Sequence, residues 1–550
     1  MPSDRIKVGL LIDSFFVPAW IYETLKRIIE TNYATISLVV KMQIEKPKKN
    51  PSKNFHYLAY NLYRKIENKF IKLKYDAFFS INIIDLINDV PLLKVQSYKK
   101  ENFEWLEEND IQLINSYGLD VCIKLSSENL IGAIFSCAKF GVWAYEQGKH
   151  FVYTGTSAGV WEVIEEVCET EIALKMLSKD AEEGNILYQS FSSTNVAINK
   201  NQNIACWKAV SFIPRKLKEL YETKGEDFLE NVKKKNQDIE FNNKRQNTPP
   251  KNARFVTFLF KRYFKWTKKK IWNFFNLEQW LLLYNFNKIN EFPEFPLSAY
   301  HEIIPPKDRF WADPCIFGTD DEKYFIFFEE YIYKKNKAHI SVIELDKRGK
   351  ISQPKIVLEK PYHLSYPFVF NEGTDIYMIP ETSENKTIEI YKCISFPYKW
   401  AFQMNLMENI HAVDATIHYQ DNMFWLFVNI IENNGASAWD ELFLFYSDKL
   451  LTTNWQPHPQ NPVISDVRSA RPAGRIFTHE GKLYRPSQDS SCTYGYATNM
   501  NEVLVLNATE YSERKVTTLF PKWNKKVTAV HTFSFNDALA VIDARFKRRK

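Results

Sequence analysis

Five short stretches in the second half of the chain share one arrangement, a polar residue heading an apolar, strand-like run. They are "FWADPCIF" with Asp313, "LSYPFVF" with Tyr366, "AVDATIHY" with Asp414, "ARPAGRIF" with Arg471 and "VHTFSF" with His531. Successive heads stand 53, 48, 57 and 60 residues apart, close to the length of a four-stranded propeller blade. Between them lie further short runs such as "YFIFFEEY", "HISVIEL", "DIYMIP", "MFWLFVNI" and "ELFLFYS", broken by turn residues. Such a repeat leaves few folds open, because one blade cannot bury both faces of its sheet without a neighbour on each side. The expectation over 291–550 is therefore an all-β, five-bladed propeller. Its inner strands line a central channel, so the polar heads should converge on one pocket.

The first 215 residues carry a different rhythm. "IKVGLLID" reads as a buried strand, "PAWIYETLKRIIETN" as an amphipathic helix and "ATISLVV" as another strand. Further on come "LDVCIKL", helical "SENLIGAIFSCAKF", strand "GVWAYE" and helical "VWEVIEEV". Strands separated by helices of this length predict an α/β domain over 1–215 with a parallel sheet covered on both faces. A chain of 550 residues is also too long for a single core.

Residues 216–290 form a third, linking segment. Ten Lys or Arg and no acid fall between Phe241 and Leu277, interleaved with Phe255, Phe258, Phe260, Phe264, Trp266, Trp272, Phe274 and Phe275. Cations beside large aromatics suit an anionic membrane surface, which makes 244–275 a candidate for peripheral contact. The plainer reading is a linker helix whose aromatics pack on both domains. Net charge of only +6 and the lack of a recognised motif argue against nucleic acid. Nothing at the N-terminus resembles a leader, and no apolar run is long enough to span a membrane. Seven cysteines without CxxC or CxxH spacing read as free thiols. The chain is thus expected in the cytoplasm, at the inner face of the membrane.

The expected propeller pocket gathers Asp313 and Glu330, Tyr366 and Glu381, His411 and Asp414, Arg471, Arg485, Gln488 and Asp489, and His531 with Asp543. Carboxylates from several blades facing one channel suit glycosyl chemistry, with one as base or nucleophile and another as acid, their pKa values pushed apart by proximity. Arg471 and Arg485 could grip a sugar phosphate or nucleotide diphosphate. The alternative is that these charges only pair with one another. No metal motif stands out, and "TDDEK" near Asp320 reads as a solvated turn.

Over 300–546 an ordered series of motifs, "HLSYPFVF", "YMIPETSE", "FPYKW", "AVDATIHY", "WQPHPQNPV", "ARPAGRIF", "LYRPSQDSSCTYG" and "HTFS…VIDAR", resembles the propeller domain at the N-terminus of plant glucosamine inositolphosphorylceramide transferases. The resemblance implies a five-bladed propeller akin to arabinanase and levansucrase-type glycosidases. On that analogy "WADP" makes Asp313 the base or nucleophile, with Glu381 and Asp414 as the acid and its pKa-tuning partner. In the plant proteins sugar transfer is ascribed to another domain absent here.

Bacterial relatives carry this module behind a formyltransferase-like domain. The first half is similar to that fold through "IKVGLLID", "LDVCIKL" and "FGVWAYEQGKHFVYTGTSAGVWEV". Formyltransferases use an Asn, a His and an Asp around this loop, and the propeller-linked relatives place a pair of His and then Gly-Asp after Gly-Val-Trp. Here Glu146, Gln147, Gly148 and Lys149 occupy that stretch, and His150 lies several positions away. Glu146 as a base, Lys149 as a phosphate contact and His150 are the candidates left, and a folate cofactor is not expected. The combined expectation is glycosyl transfer from an activated donor, such as a nucleotide sugar, in polysaccharide or glycolipid biosynthesis. The alternatives are N-formyl transfer to an amino sugar, or a glycan-binding scaffold marked by carboxylates fully paired with arginines and a closed channel.

Overall fold

The computed structural model describes residues 5–44, 55–100, 103–126, 129–147, 150–151, 159–177, 184–223, 225–237, 249–286, 297–320, 323–536 and 538–550. They divide into two compact units, Met1–Arg262 with Asn433–Ala436, and Tyr263–Glu432 with Ser437–Lys550.

The first unit is built on a mixed sheet. At its centre five parallel strands lie in the spatial order Leu92–Lys100, Ala34–Ile44, Ile6–Ile12, Val121–Lys124, Val142–Gln147. The chain's first strand is central and the winding reverses beside it, which creates a switch point between Ile6–Ile12 and Val121–Lys124. Val8, Leu10 and Ile12 bury on one face and Leu11 on the other, the two-sided burial that a parallel sheet demands. Helix Ala19–Glu30 covers the first face with Trp20, Ile21, Leu25 and Ile28, and Glu108–Asn115 presents Ile111 and Ile114 to the second. Antiparallel strands Glu169–Leu177 and Asn185–Ser193 extend the sheet past Val142–Gln147.

The stretch "SENLIGAIFSCAKF", expected as a helix, contains instead strand Asn129–Leu130 and the single turn Ala133–Ser136. Gly132, at φ 89° and ψ −152°, lies outside the helical region and interrupts any α-helix there. The expectation of seven free thiols also changes. Cys122, Cys137, Cys206, Cys315 and Cys393 are free, whereas Cys168 and Cys492 are disulfide-bonded.

The second unit is a five-bladed propeller. Four blades each take four consecutive antiparallel strands, starting at Arg309–Asp320, Ser365–Glu372, Ala412–Gln420 and Phe477–His479. The fifth combines the C-terminal strands Val527–Ala529, Phe533–Phe535 and Ala540–Arg549 with Asn276–Asn285 and His301–Ile303. Asn276–Asn285 pairs along its whole length with Ala540–Arg549, from Asn276 opposite Arg549 to Asn285 opposite Ala540. The two ends of the propeller segment therefore pair within one blade and close the ring. Neighbouring blades interdigitate, as where Phe368, Ile379 and Ile390 of blade two meet Leu426 and Val428 of blade three. The segment 216–290 is consequently shared, its helices up to Arg262 falling in the first unit and strand Asn276–Asn285 in the propeller.

Candidate functional site

The head positions of blades one to three share a local device. The inner strand slips register between Ala312 and Cys315, between Ser365 and Phe368, and between Val413 and Thr416. Within each slip sits a non-glycine residue with left-handed backbone, Asp313 at φ 51°, Tyr366 at φ 43° and Asp414 at φ 55°. A β-bulge adds one residue to a strand and re-aims its side chain, which turns these heads toward the axis. Asp tolerates the left-handed region better than most residues.

Asp313 is the hub of the first group. Its Oδ1 lies 3.0 Å from His531 Nε2 and accepts from Thr532 Oγ1 at 2.9 Å, while Oδ2 accepts from the Tyr366 N–H at 3.3 Å. Asp543 completes the group. Its carboxylate accepts from the N–H groups of Asp313 (2.8 Å), His531 (3.2 Å) and Thr532 (2.9 Å) and lies 2.9 Å from His531 Nδ1, a pairing by charge in which the ring N–H is not aligned for a hydrogen bond. Burial disfavours the His531 cation, but Asp543 and Asp313 on either side outweigh it and raise the pKa to about 10. Burial likewise opposes the Asp313 anion, and the His531 charge, its hydrogen bond and Arg471 override that and hold the carboxyl below its ordinary value.

The second group crosses blades two, three and four. Arg471 forks onto Asp414, with Nη2 at 3.1 Å from Oδ1 and Nε on Oδ2, and its Nη2 lies 3.6 Å from Glu381 Oε2. Gln488 Nε2 donates to Asp414 Oδ2 and to the Pro472 carbonyl, both at 3.0 Å. Glu381 is raised well above the carboxylate range, first by burial and then by the adjacent Asp414 charge, which Arg471 only partly offsets. The surroundings thus push these two carboxyl pKa values in opposite directions. Acid–base chemistry uses carboxyl pairs separated in this way.

The structure does not bring every expected residue here. Glu330 points away into a closed network with Arg309, Trp311, His339 and Ser341, which holds it down to about 2 against the cost of burial. Its neighbour Glu329 faces the pocket instead, raised by burial and by Asp313, with His363 Nε2 3.4 Å away. Arg485 is spent on Glu513 (2.7 and 2.8 Å) and on the carbonyls of Ser469 and Ala470, so it has no fork left for a phosphate. Asp489 accepts from the N–H and hydroxyl of Ser491 within its own turn. Tyr366 shares a bond with Thr416 Oγ1 at 2.9 Å and accepts from the Gly474 N–H at 2.8 Å, tying three blades together. Among the described residues, no hydrogen bond or ion pair ties the His411 side chain to either group.

Several residues were not anticipated from sequence. Trp280, from the strand that closes the ring, lies 4.3 Å centroid to centroid from His531, and Tyr494 lies 5.3 Å from it. Arg471 sits 4.9 Å over the Tyr494 ring, and Trp439 packs on Tyr494 at 5.4 Å. Aromatic faces beside a few oriented polar groups are the usual lining of a small-molecule site. Asp313, His531 and Asp543 offer ligand atoms within 4.8 Å of one another, and His531 bridges the two carboxylates at 3.0 and 2.9 Å.

In the first unit Lys149 lies outside the described residues, as do the side chains of Glu146 and His150. The backbone there forms a hairpin, with His150 opposite Gln147 and Phe151 opposite Glu146.

Residues 301–537 match the family described as glucosamine inositolphosphorylceramide transferase 1, N-terminal. Glucosamine inositolphosphorylceramide transferase 1 of Oryza sativa subsp. japonica is 35% identical over 208 residues, which is 37% of this chain and 28% of the relative. The protein of that name from Arabidopsis thaliana is 34% identical over 211 residues, 38% of this chain and 27% of the relative. This chain therefore spans under a third of the length of these relatives. Among solved structures, Zg3597, a family 117 glycoside hydrolase of Zobellia galactanivorans, aligns over 49% of this chain and 90% of its own with 10% identity and a TM-score of 0.33. The GH32 beta-fructofuranosidase BmSUC1 of Bombyx mori aligns over 44% of this chain and 60% of its own with 13% identity and a TM-score of 0.33. The segment that is similar to the N-terminal region of the plant transferases contains Asp313, Glu381, Asp414, Arg471 and His531, and so spans the whole cluster save Trp280 and Asp543.

Proposed function

We propose that the propeller carries out glycosyl transfer in the assembly of a glycolipid or cell-surface polysaccharide. The observation that carries this reading is the clustering of Asp313, paired with His531, and Glu381, beside the Asp414–Arg471 fork, surroundings that push the two carboxyl pKa values in opposite directions. In the proposed step the acceptor hydroxyl attacks the anomeric carbon and gives its proton to Asp313, whose Oδ2 accepts one hydrogen bond, from the Tyr366 N–H at 3.3 Å. The bond from the anomeric carbon to the departing oxygen breaks, and that oxygen takes the Glu381 proton. Asp414, fixed by Arg471 and Gln488, keeps Glu381 protonated, and His531 keeps Asp313 ionised. Acid assistance suits a donor whose leaving oxygen is a poor leaving group. A nucleotide-sugar donor remains within the proposal but gains no support from Arg471 or Arg485, which are already engaged by carboxylates. The names of the plant relatives make a glycolipid acceptor the first to try.

The Arg471 fork on Asp414 favours a second reading, a glycan-binding scaffold. Calorimetry and mass-spectrometric detection of transferred sugar, with nucleotide sugars and lipid-linked sugars as donors, separate the two. Glycosyl transfer predicts turnover that Glu381→Gln abolishes while sugar binding persists. Sugar binding by the wild type with no turnover supports the scaffold, and turnover indifferent to both Asp313→Asn and Glu381→Gln removes the site from the propeller. Binding of a formyl-tetrahydrofolate analogue would return the chemistry to the first unit and its N-formyl reading.

A further inference from the structure

Strand Ala540–Arg549 of blade five runs from the pocket floor out to solvent, and alternation separates its two faces. Ile542, Ala544 and Phe546 enter an apolar cluster, while Asp543, Arg545, Lys547 and Arg549 share the other face. Exposure rises along that second face, from fully buried Asp543 through part-buried Arg545 to exposed Lys547 and Arg549. Arg545 stands opposite Trp280 and lies 5.6 Å over its ring, and that ring meets His531 at 4.3 Å. Its Nη2 donates to Thr493 Oγ1 at 3.4 Å, next in sequence to the pocket residue Tyr494, and its Nε donates to Thr528 Oγ1 at 3.0 Å. The guanidinium therefore belongs to the wall of the same pocket. It is 20% exposed, and among the described residues no hydrogen bond or ion pair engages its Nη1.

Further out along the strand, cations crowd together. Lys547 donates its N–H to the Lys526 carbonyl at 2.8 Å, one step on from the pair Val527 and Phe546. Residues that stand opposite each other across an antiparallel pair project from the same face, so the two lysines leave the sheet side by side. Like charges in that relation are destabilising. On its other flank Lys547 stands opposite Glu278, whose Oε2 is 3.7 Å from Arg545 Nε. One carboxylate thus shares a face with Arg545, Lys547, Arg549 and Lys526. Among the described residues, no ion pair engages Lys526, Lys547 or Arg549.

We infer that this face of blade five is a phosphate-binding rim of the pocket, where Arg545, Lys547 and Lys526 hold a phosphate ester carried by the substrate. The inference rests on the reading of the pocket as a sugar site. A phosphate monoester brings a charge of about −1.5 to −2 at neutral pH, which matches the surplus of cations and relieves the repulsion between the two lysines. Arg545 adds a directed donor through Nη1. A strand advances about 3.4 Å per residue, which sets Arg545 about 7 Å and Lys547 about 14 Å from Asp543 along the strand. The phosphate is consequently held away from the reacting carbon, on a part of the substrate beyond the sugar at the floor. It is not the leaving group there, in keeping with an acid-assisted step. The shared chemistry is the phosphate monoester, whether a soluble sugar phosphate or a lipid headgroup supplies it.

The test is calorimetry on the full chain at low salt with glucose 6-phosphate, dihexanoyl phosphatidic acid and, as the uncharged control, glucose. The wild type should bind a phosphate probe more tightly than glucose, and added salt should reduce that gain. Binding of glucose 6-phosphate identifies a sugar phosphate as the source, and binding of the phosphatidic acid alone identifies a lipid headgroup. Lys526→Gln/Lys547→Gln should weaken phosphate binding about tenfold. Lys347→Gln/Lys350→Gln, which removes the same charge from a turn in blade one, should leave it unchanged. All four lysines are exposed, and an unchanged circular dichroism spectrum verifies the fold. Phosphate probes bound no more tightly than glucose, or a rim variant that binds them like the wild type, overturns the inference and leaves glycosyl transfer standing. So does equal loss in the two lysine pairs. Phosphate binding that only the rim variant loses, in a protein without sugar turnover, upholds the rim and overturns glycosyl transfer instead.

Discussion

His531 places Nε2 3.0 Å from Oδ1 of Asp313, joining blade five to blade one at the pocket floor. The imidazole has an ordinary pKa of 6.5 and is raised to about 10 by Asp543 and Asp313 against the opposing effect of burial. A raised basic group stabilises the fold fully below its unfolded pKa and loses that effect as pH climbs through the folded one. The window here runs from 6.5 to about 10, and a shift of that size corresponds to roughly 5 kcal/mol. His531→Gln should therefore cost most stability near neutral pH and below, with the deficit shrinking as the solution becomes alkaline. Urea unfolding of both proteins across that range checks it, and a deficit that does not vary with pH would mean that His531 is neutral.

Glu381 answers to the opposite sign. A carboxyl raised above its ordinary 4.5 stays protonated in the folded chain while the unfolded chain ionises, so stability falls as pH rises above 4.5. Glu381→Gln keeps the shape and removes that penalty. The variant should melt no lower than the wild type at about pH 8 and gain on it relative to about pH 5, while losing turnover by roughly 10²–10⁴-fold. Calorimetric melting at the two pH values and a transfer assay read the two effects separately. A variant that is active, or that is destabilised equally at both pH values, contradicts the assignment of Glu381 as the acid.

Asp414 and Arg471 test the pairing itself. Asp414→Asn leaves a buried guanidinium without its carboxylate and should cost about 3–5 kcal/mol. Arg471→Gln leaves the reverse, and the double variant should recover part of the loss, giving a coupling of about 1–3 kcal/mol in a double-mutant cycle. Asp414 also raises the Glu381 pKa. Asp414→Asn should therefore move the acid-controlled limb of the pH–activity profile to lower pH.

Gly474 marks where blade four closes on blade five. It sits at φ +129°, and a Cβ there would stand 2.0 Å from the carbonyl oxygen of Phe533. Its N–H also donates to Tyr366 Oη. Gly474→Ala should cost more than about 3 kcal/mol, since backbone must move. Gly373, at φ +58° with open space around its missing Cβ, supplies the control, and Gly373→Ala should cost only about 1–2 kcal/mol. Equal midpoints in guanidinium for the two variants would refute the close approach.

The propeller was legible because its strand heads recur and because blades of similar length must stack. Its last strand was not. Asn276–Asn285 pairs with Ala540–Arg549, more than two hundred and fifty residues away in sequence, and no local pattern announces a partner at that distance. Trp280 therefore read as part of a linker rather than as a wall of the pocket. The arginines were legible as residues near the channel, and pairing with carboxylates was one reading of them, but the partners were not, since Asp414 and Glu513, on which the forks close, lie on other strands. In the first unit, alternation revealed the parallel strands, while Gly132 ended a helix that apolar content alone suggested.

Glu329 and Glu330 show the same limit at a spacing of one residue. Neighbours on a strand face opposite sides, and the sequence "FFEEY" gives no sign of which carboxyl faces the channel. Glu330 is bonded by four side chains and depressed to about 2, so its stabilising effect is present above 4.5 and is lost as pH falls through about 2. Glu330→Gln should cost about 1–3 kcal/mol at neutral pH and leave turnover per folded molecule unchanged. Glu329 is raised by burial and by Asp313, and a neutral amide suits that surrounding. Glu329→Gln should hold or raise stability at neutral pH and alter the pH profile of activity, because it removes a carboxyl coupled to Asp313. Paired unfolding and transfer assays on the two variants decide which glutamate serves the pocket, and a pocket effect confined to Glu330→Gln would reverse the assignment.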